Sequence, residues 1–221
     1  MSRIQMVAIG ATKQVCLIGR KSVWLSLSVV FLLFLLGMAL LAIPAHAQTH
    51  AYVANNGSNS VSVIDTASNT VVATVGVGGL PRGVAITPDG TRVFVTNAND
   101  NTVSVIDTAS NTVVATVGVG GAPLRVAITP DGTRAYVTNY YANTVSVVDT
   151  ASNTVVATVG VGAGPVGVAI TPDGTRVYVT NAPGTGGFVS VIDTESNTVV
   201  TTVAREHRPL GVAITPDGTR A

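Results

Sequence analysis

The 221-residue chain has one cysteine, one tryptophan, two lysines and three histidines, and Cys16, Trp24, Lys13, Lys21 and His46 all fall within its first 47 residues. Beyond that point no thiol is present, so a disulfide, a thiolate nucleophile and a cysteine metal ligand are all excluded there. Only His50 and His207 remain as histidines, and only Glu195 and Glu206 as glutamates. This scarcity points away from an enzyme, because an active site gathers groups of different pKa at one point. No Gly-x-Ser-x-Gly elbow, Walker loop or His-Glu-x-x-His is present. The glycines of "GVGG" and "GTGG" complete no dinucleotide fingerprint. Charged residues make up 10 % of the chain, and the eight arginines beyond residue 47 face all 11 acidic residues. A net negative balance argues against nucleic acid as a partner.

Long apolar runs are absent except near the start. Arg3, Lys13, Arg20 and Lys21 precede the run Val29 to Ile43, Pro44 stops it, and Ala45-His46-Ala47 has the small-x-small form of a cleavage site. Residues 1–47 are therefore expected to be a hydrophobic signal helix, with a mature start near Gln48. If the segment is not cleaved, residues 23–43 are long enough to cross a bilayer as an anchor. In both cases the remainder is exported, to the periplasm, the cell surface or the medium.

What fills residues 48–221 is repetition. "DTASNTVVATVGVG" begins at Asp65, Asp107 and Asp149, and returns with changes at Asp193. The "TPDGTR" segments place aspartates at 89, 131, 173 and 217, and an aromatic recurs at Tyr52, Phe94, Tyr136 and Tyr178, a period of about 42 residues. Each unit holds four Val-rich runs separated by turn residues, a β pattern rather than a helical one. In the second complete unit these are A, 125–129; B, 134–139; C, 144–149; and D, 154–161. Four antiparallel strands in this length make one propeller blade. The runs do not alternate cleanly between apolar and polar, so the sheets should be covered on both faces by neighbouring sheets. The fold class is all-β, a propeller of about four blades.

The motifs "VFVTN", "AYVTN" and "VYVTN", with "VSVIDTASNTVVATVGVG" and "GVAITPDGTR", resemble the YVTN family of β-propeller repeats found in surface-layer-type and other exported proteins. The resemblance implies the fold for nearly all of residues 51–221. It implies little about function, since a propeller hosts many unrelated activities. Enzymes and cofactor carriers occur among similar propellers (lactonases, quinoproteins, haem d1 domains), but no residues here match their ligand or catalytic sets. The strand order, BCD then ABCD three times then A, leaves three arrangements: a closed four-bladed ring, association of two chains, or part of a larger, for example seven-bladed, propeller.

In an antiparallel blade the A–B and C–D turns share one end and the B–C and D–A connections share the other. The A–B turn reads "PDGT" every time and the C–D turn "DTASN" or "DTESN", whereas the other two connections vary. Recognition tends to sit on loops held by a rigid scaffold. The predicted binding face therefore comprises Arg82, Asn99, Asp100, Arg125, Tyr140, Tyr141, Arg205, Glu206, His207 and Arg208. His50, at the other end, is expected about 17 Å from His207, too far to share a metal or proton. The Asp-Gly of "PDG" is first a turn signal, so no metal, cofactor or catalytic residue is predicted. The expected partner is a protein or glycan. The rival readings are a fragment of a propeller enzyme or cofactor-bearing protein, and an architectural surface-layer element.

Overall fold

The computed structural model describes residues 14–17, 23–26, 49–184, 186–205 and 208–221. The chain divides into two compact units, Met1–Gln48 and Thr49–Ala221. In the first, β1 (Gln14–Leu17) pairs antiparallel with β2 (Val23–Ser26), Gln14 opposite Ser26 and Leu17 opposite Val23. Residues 23–26 are thus strand where a membrane-spanning helix was expected to begin. Val23 and Trp24 are β-formers, and Ser26 is a weak helix former. The rest of the expected signal segment, including the cleavage site, lies outside the described residues. Among the described residues no helix is long and apolar enough to cross a membrane.

The second unit consists of four antiparallel sheets, each in simple up-and-down order. The first has three strands, β3 (His50–Asn55), β4 (Ser60–Asp65) and β5 (Thr70–Gly76). The second holds β6 (Pro81–Ile86), β7 (Arg92–Asn97), β8 (Thr102–Asp107) and β9 (Thr112–Gly118). The third holds β10 (Pro123–Ile128), β11 (Arg134–Asn139), β12 (Thr144–Asp149) and β13 (Thr154–Gly160). The fourth holds β14 (Pro165–Ile170), β15 (Arg176–Asn181), β16 (Gly187–Asp193) and β17 (Thr198–Arg205). These are propeller blades, with strands A to D in the predicted order and a β-bulge between the last two strands of each.

Apolar side chains interlock between successive sheets. Phe94, Val103 and Val105 of the second pack on Val126, Ala135 and Val137 of the third. Tyr136, Val145 and Val147 of the third pack in the same way on Val177, Val179 and Ile192 of the fourth. Phe94 and Tyr136 are fully buried. Tyr52 and Tyr178, at the same position in the two end sheets, are half-buried. Val53 is 45 % exposed where its counterparts Val95, Val137 and Val179 are wholly covered. The outermost strands also differ from the expectation of two covered faces. Val72, Val114, Val156 and Val200 are each about half exposed, because sheets fanning from a common axis separate as they run outward.

Residues 209–214 form no strand, yet they lie where the first strand of a next blade would lie. Thr180 Oγ1 donates to Leu210 O at 3.2 Å, as Thr96 does to Leu124 O at 3.1 Å two sheets earlier. The following turn is formed too, with Thr215 N donating to Arg220 O at 2.9 Å. Among the described residues no strand pairs with the free edge of β3. Among the described residues, residues 209–214 thus do not pair with β3 to close a four-sheet ring.

At the turn end each aspartate holds its own backbone. Asp107 Oδ1 accepts from Ser110 N and Ser110 Oγ, both at 2.9 Å, while Asn111 takes the left-handed conformation (φ 53°) that completes the turn. Asp89 Oδ1 accepts from Thr87 Oγ1 at 2.6 Å and Thr91 N at 3.0 Å, with Gly90 at φ 72°. Arg92, Arg134 and Arg176 pair across the ladder with Asp107, Asp149 and Asp193. The Ser110 hydrogen bonds, more than Arg92, hold the Asp107 carboxyl below the usual carboxylate range. Thr87 and Thr91 do the same for Asp89.

Two outcomes follow from this packing and these turns. Phe94→Ala should cost about 3–5 kcal/mol in denaturant unfolding, whereas Tyr178→Ala, at a half-open face, should cost less than about 2 kcal/mol. Equal costs would mean that the fourth sheet is covered in solution. Because the turn aspartates titrate below their unfolded value of about 3.9, their contribution is complete above that pH and drains as pH falls through the folded values. The melting temperature should be flat between about pH 7 and 5 and fall below about pH 4, and Asp107→Asn should flatten the fall.

Candidate functional site: the loop face

The last residues of each "YVTN" segment set the geometry of the variable face. Asn97 Nδ2 donates to Thr102 Oγ1 (3.0 Å) and Ser104 Oγ (2.9 Å), and Asn139 does the same to Thr144 (3.1 Å) and Ser146 (2.9 Å), fixing where the next strand begins. The preceding threonine reaches the other way. Thr96 Oγ1 accepts from Gly83 N (2.8 Å) and donates to Leu124 O (3.1 Å) in the next sheet. Thr138 Oγ1 links Arg125 N (3.1 Å) to Val166 O (2.9 Å), and Thr180 Oγ1 links Gly167 N (2.7 Å) to Leu210 O (3.2 Å). The inner strands come so close here that a Cβ on Gly83 would lie 2.8 Å from Leu124 O.

In the first sheet the threonine position is Ala54. The carbonyl that such a hydroxyl would meet, Arg82 O, instead accepts from Arg125 Nη1 at 3.2 Å. Arg125 therefore substitutes, 43 residues away in sequence, for a missing hydroxyl. The remaining N–H groups of its guanidinium stay free of that task.

A second set of bonds ties the loops into one surface. Asn59, Asn101 and Asn143 all adopt the left-handed conformation (φ 50°, 56° and 57°). Their Oδ1 atoms accept from Leu80 N, Ala122 N and Gly164 N at 3.0, 2.8 and 2.9 Å. Each D–A connection then bonds the B–C loop of the following sheet: Ala98 N to Leu80 O (3.0 Å), Tyr140 N to Ala122 O and Ala182 N to Gly164 O (both 2.9 Å). Both kinds of variable connection thus lie at one end, as chain direction predicts.

The predicted residues fall on this surface with different tasks. Asn99 is exposed beside Asp100, whose Oδ2 accepts from Gly79 N at 2.7 Å and so braces its neighbour loop. Tyr140 is half-buried, and Tyr141, 79 % exposed, meets it edge-to-face at 5.4 Å and 67°. Arg82 and Arg125 are exposed on the innermost strands β6 and β10. Arg205 ends β17 and Arg208 follows in an exposed position, while Glu206 and His207 lie outside the described residues. His50 is at the turn end, opposite Asp65. The threonine links and asparagine latches were missed in the sequence, although "YVTN" against "YVAN" at Ala54 was a visible signal.

The turn end holds a groove of about 550 Å³ between the third and fourth sheets, lined by Asp131, Arg134, Tyr136 and Asp173 among others. Its polar groups are occupied by turn bonds and the Arg–Asp pair. Among the described residues no group of three or more His, Cys, Asp or Glu is placed to hold a metal ion.

Comparison with known proteins agrees with this architecture. A family model described as a YNCE-like beta-propeller matches residues 37–134, less than half of the chain. The chain resembles the solved structure of Kuenenia stuttgartiensis hydrazine synthase, with TM-score 0.73 and 28 % identity, over 80 % of this chain and 56 % of that one. It also resembles a protein of Bacteroides uniformis described as a candidate 6-phosphogluconolactonase, with TM-score 0.66 and 17 % identity, over 79 % of this chain and 60 % of that one. No curated protein matches the sequence. The chain spans little more than half the length of these two proteins, and what it shares with them is the β-propeller domain.

The latches lend themselves to a direct test. Asn143→Ala should destabilise the protein by about 2 kcal/mol, since it leaves the buried Gly164 N unpaired and places alanine at positive φ. Asn143→Gly should cost less, because it keeps the backbone conformation. Denaturant melts of both variants check the order, and indistinguishable values would remove Asn143 from the lattice.

Proposed function

We propose that the chain is an exported, non-catalytic propeller scaffold of the YVTN surface type that binds a protein or glycan through its loop face. The observation that carries this reading is the contrast between the two ends of the sheets. The turn end repeats one set of residues, whereas the loop end varies in side chain while one set of backbone and asparagine bonds holds the first three D–A connections in place. A preorganised frame with exchangeable side chains loses little entropy on binding. Export rests on the leader-like sequence of residues 1–47, which supports a periplasmic, cell-surface or extracellular location.

A second reading, that these sheets are part of a larger propeller enzyme, is favoured by the half-open end faces at Val53 and Tyr178 and by the 28 % identity to hydrazine synthase over 56 % of its chain. In that case the catalytic groups belong to other sheets. The gene sequence beyond codon 221 separates the two readings.

The test of the first is a partner captured on the immobilised chain. Substituting Tyr140→Ala, Tyr141→Ala and Arg205→Ala together should weaken its binding at least tenfold with the melting temperature kept. Unchanged affinity would remove the loop face from the binding role.

A further inference from the structure

Charge is distributed unequally between the two ends. The turn end carries eight aspartates and Glu195, against Arg92, Arg134, Arg176 and Arg220. Three of those arginines are already paired with aspartates. Among the described residues, the loop end carries Arg82, Arg125, Arg205 and Arg208, with Asp100 as counter-charge. Asp100 is turned onto Gly79 N. Every charged side chain on the inner strands β6, β10 and β14 is an arginine. Arg82 and Arg125 are exposed and adjacent, since the guanidinium of one reaches the backbone carbonyl of the other. Among the described residues, Arg82 and Arg125 thus lie on the inner strands of the variable face with no acidic side chain paired to them.

An aromatic platform lies at the same end of the sheets, on the loop that borders the connection into β10. Tyr141 N donates to Gly121 O at 3.1 Å, and its Cβ lies 3.6 Å from where a side chain on Gly121 would begin. Tyr141 is therefore fixed against the connection that leads into β10 and Arg125. Its exposed ring, braced by Tyr140, presents an apolar face with a hydroxyl at the edge. A sugar ring has the complementary form, an apolar C–H face bordered by hydroxyls, and a guanidinium makes paired bonds to carboxylate or sulfate oxygens.

We infer that the loop face binds an anionic polysaccharide, its acidic groups on Arg82 and Arg125 and a sugar ring on Tyr141. This rests on the loop-face reading above and adds the ligand class. Because Arg125 also satisfies Arg82 O, its loss alone risks disturbing the inner strands. Ala54→Thr restores the hydroxyl used at this position in the other sheets, so the informative variant is Ala54→Thr/Arg82→Gln/Arg125→Gln, compared with Ala54→Thr alone.

The probes are polygalacturonate, dextran sulfate, neutral dextran and poly-glutamate, tested by biolayer interferometry on the full chain. Polygalacturonate or dextran sulfate should bind, whichever is tighter identifying the acidic group as carboxylate or sulfate, and affinity should fall with added salt. Neutral dextran should not bind. The arginine variant should lose at least tenfold and Tyr141→Ala at least threefold, with melting temperatures unchanged. Equal binding to neutral dextran, or full affinity in the arginine variant, would overturn the proposal. Binding to poly-glutamate alone would reassign the two arginines to acidic peptide. If no anionic polymer binds but a captured partner is lost with Tyr140→Ala/Tyr141→Ala, the ligand class fails and the loop-face reading stands. If Arg92→Gln/Arg134→Gln at the turn end abolishes binding, the loop-face reading itself fails.

Discussion

In the second, third and fourth sheets the hydroxyl of one threonine reaches across to the innermost segment that follows. It accepts from the backbone of its own innermost strand and donates to the innermost carbonyl of the following sheet. Inner strands at the axis of a propeller have no ladder between them, so their backbone groups need partners from elsewhere, and an unpaired buried carbonyl or amide costs about 1–3 kcal/mol. A side chain that is both donor and acceptor solves this with one residue. The valines of neighbouring sheets meet beside this link, with Phe94 and Tyr136 buried between sheets; the first two sheets pack Val61 and Val63 with Val93 and Val95 without it.

The first sheet shows what happens when this link is missing. With Ala54 in the threonine position, Arg82 O is served by a guanidinium from the third sheet. One arginine thereby belongs to the framework and to the variable face at once. This dual use explains how a charged side chain is held on an inner strand otherwise made of Pro, Leu, Val, Ala and Ile. Position alone would have assigned Arg125 wholly to recognition.

Much of the architecture was legible because the repeat states it several times. Four aromatics at one spacing, two turns that repeat almost without change and two variable connections located the strands to within a residue or two and sorted the loops by end. The A strand of the third sheet starts at Pro123 rather than Arg125, since a bulge between those residues keeps the pairing going past the irregular step. Less legible was anything that depends on radius or on neighbours absent from the pattern. The outer valines Val72, Val114 and Val156 are half exposed although their letters match a covered strand. Tyr178 and Tyr136 are the same residue in the same motif and differ only in what lies beyond them. The roles of Asn59, Asn101 and Asn143 were hidden because each bonds a connection about 20 residues further on, in segments that vary between copies.

The loop face combines two properties that usually oppose each other. Variable loops ordinarily carry conformational entropy that must be lost on binding. Here three asparagines in the left-handed conformation and a backbone bond from each connection to the next loop remove that entropy during folding. The side chains projecting from the lattice, Asn99 and Tyr141 among them, are then free to differ from copy to copy without disturbing it. Asp100 marks the boundary of that freedom, for its carboxylate is engaged by Gly79 N and its exchange would loosen a connection. The same economy operates at the opposite end to a different effect. There every aspartate is committed to its own turn, so the charge is large but fixed in structural bonds, and the surface offers the same arrangement between each pair of sheets. Recognition that distinguishes one ligand from another requires unlike groups in rigid relation, and among the described residues of the sheets the loop end combines varied side chains with a fixed backbone.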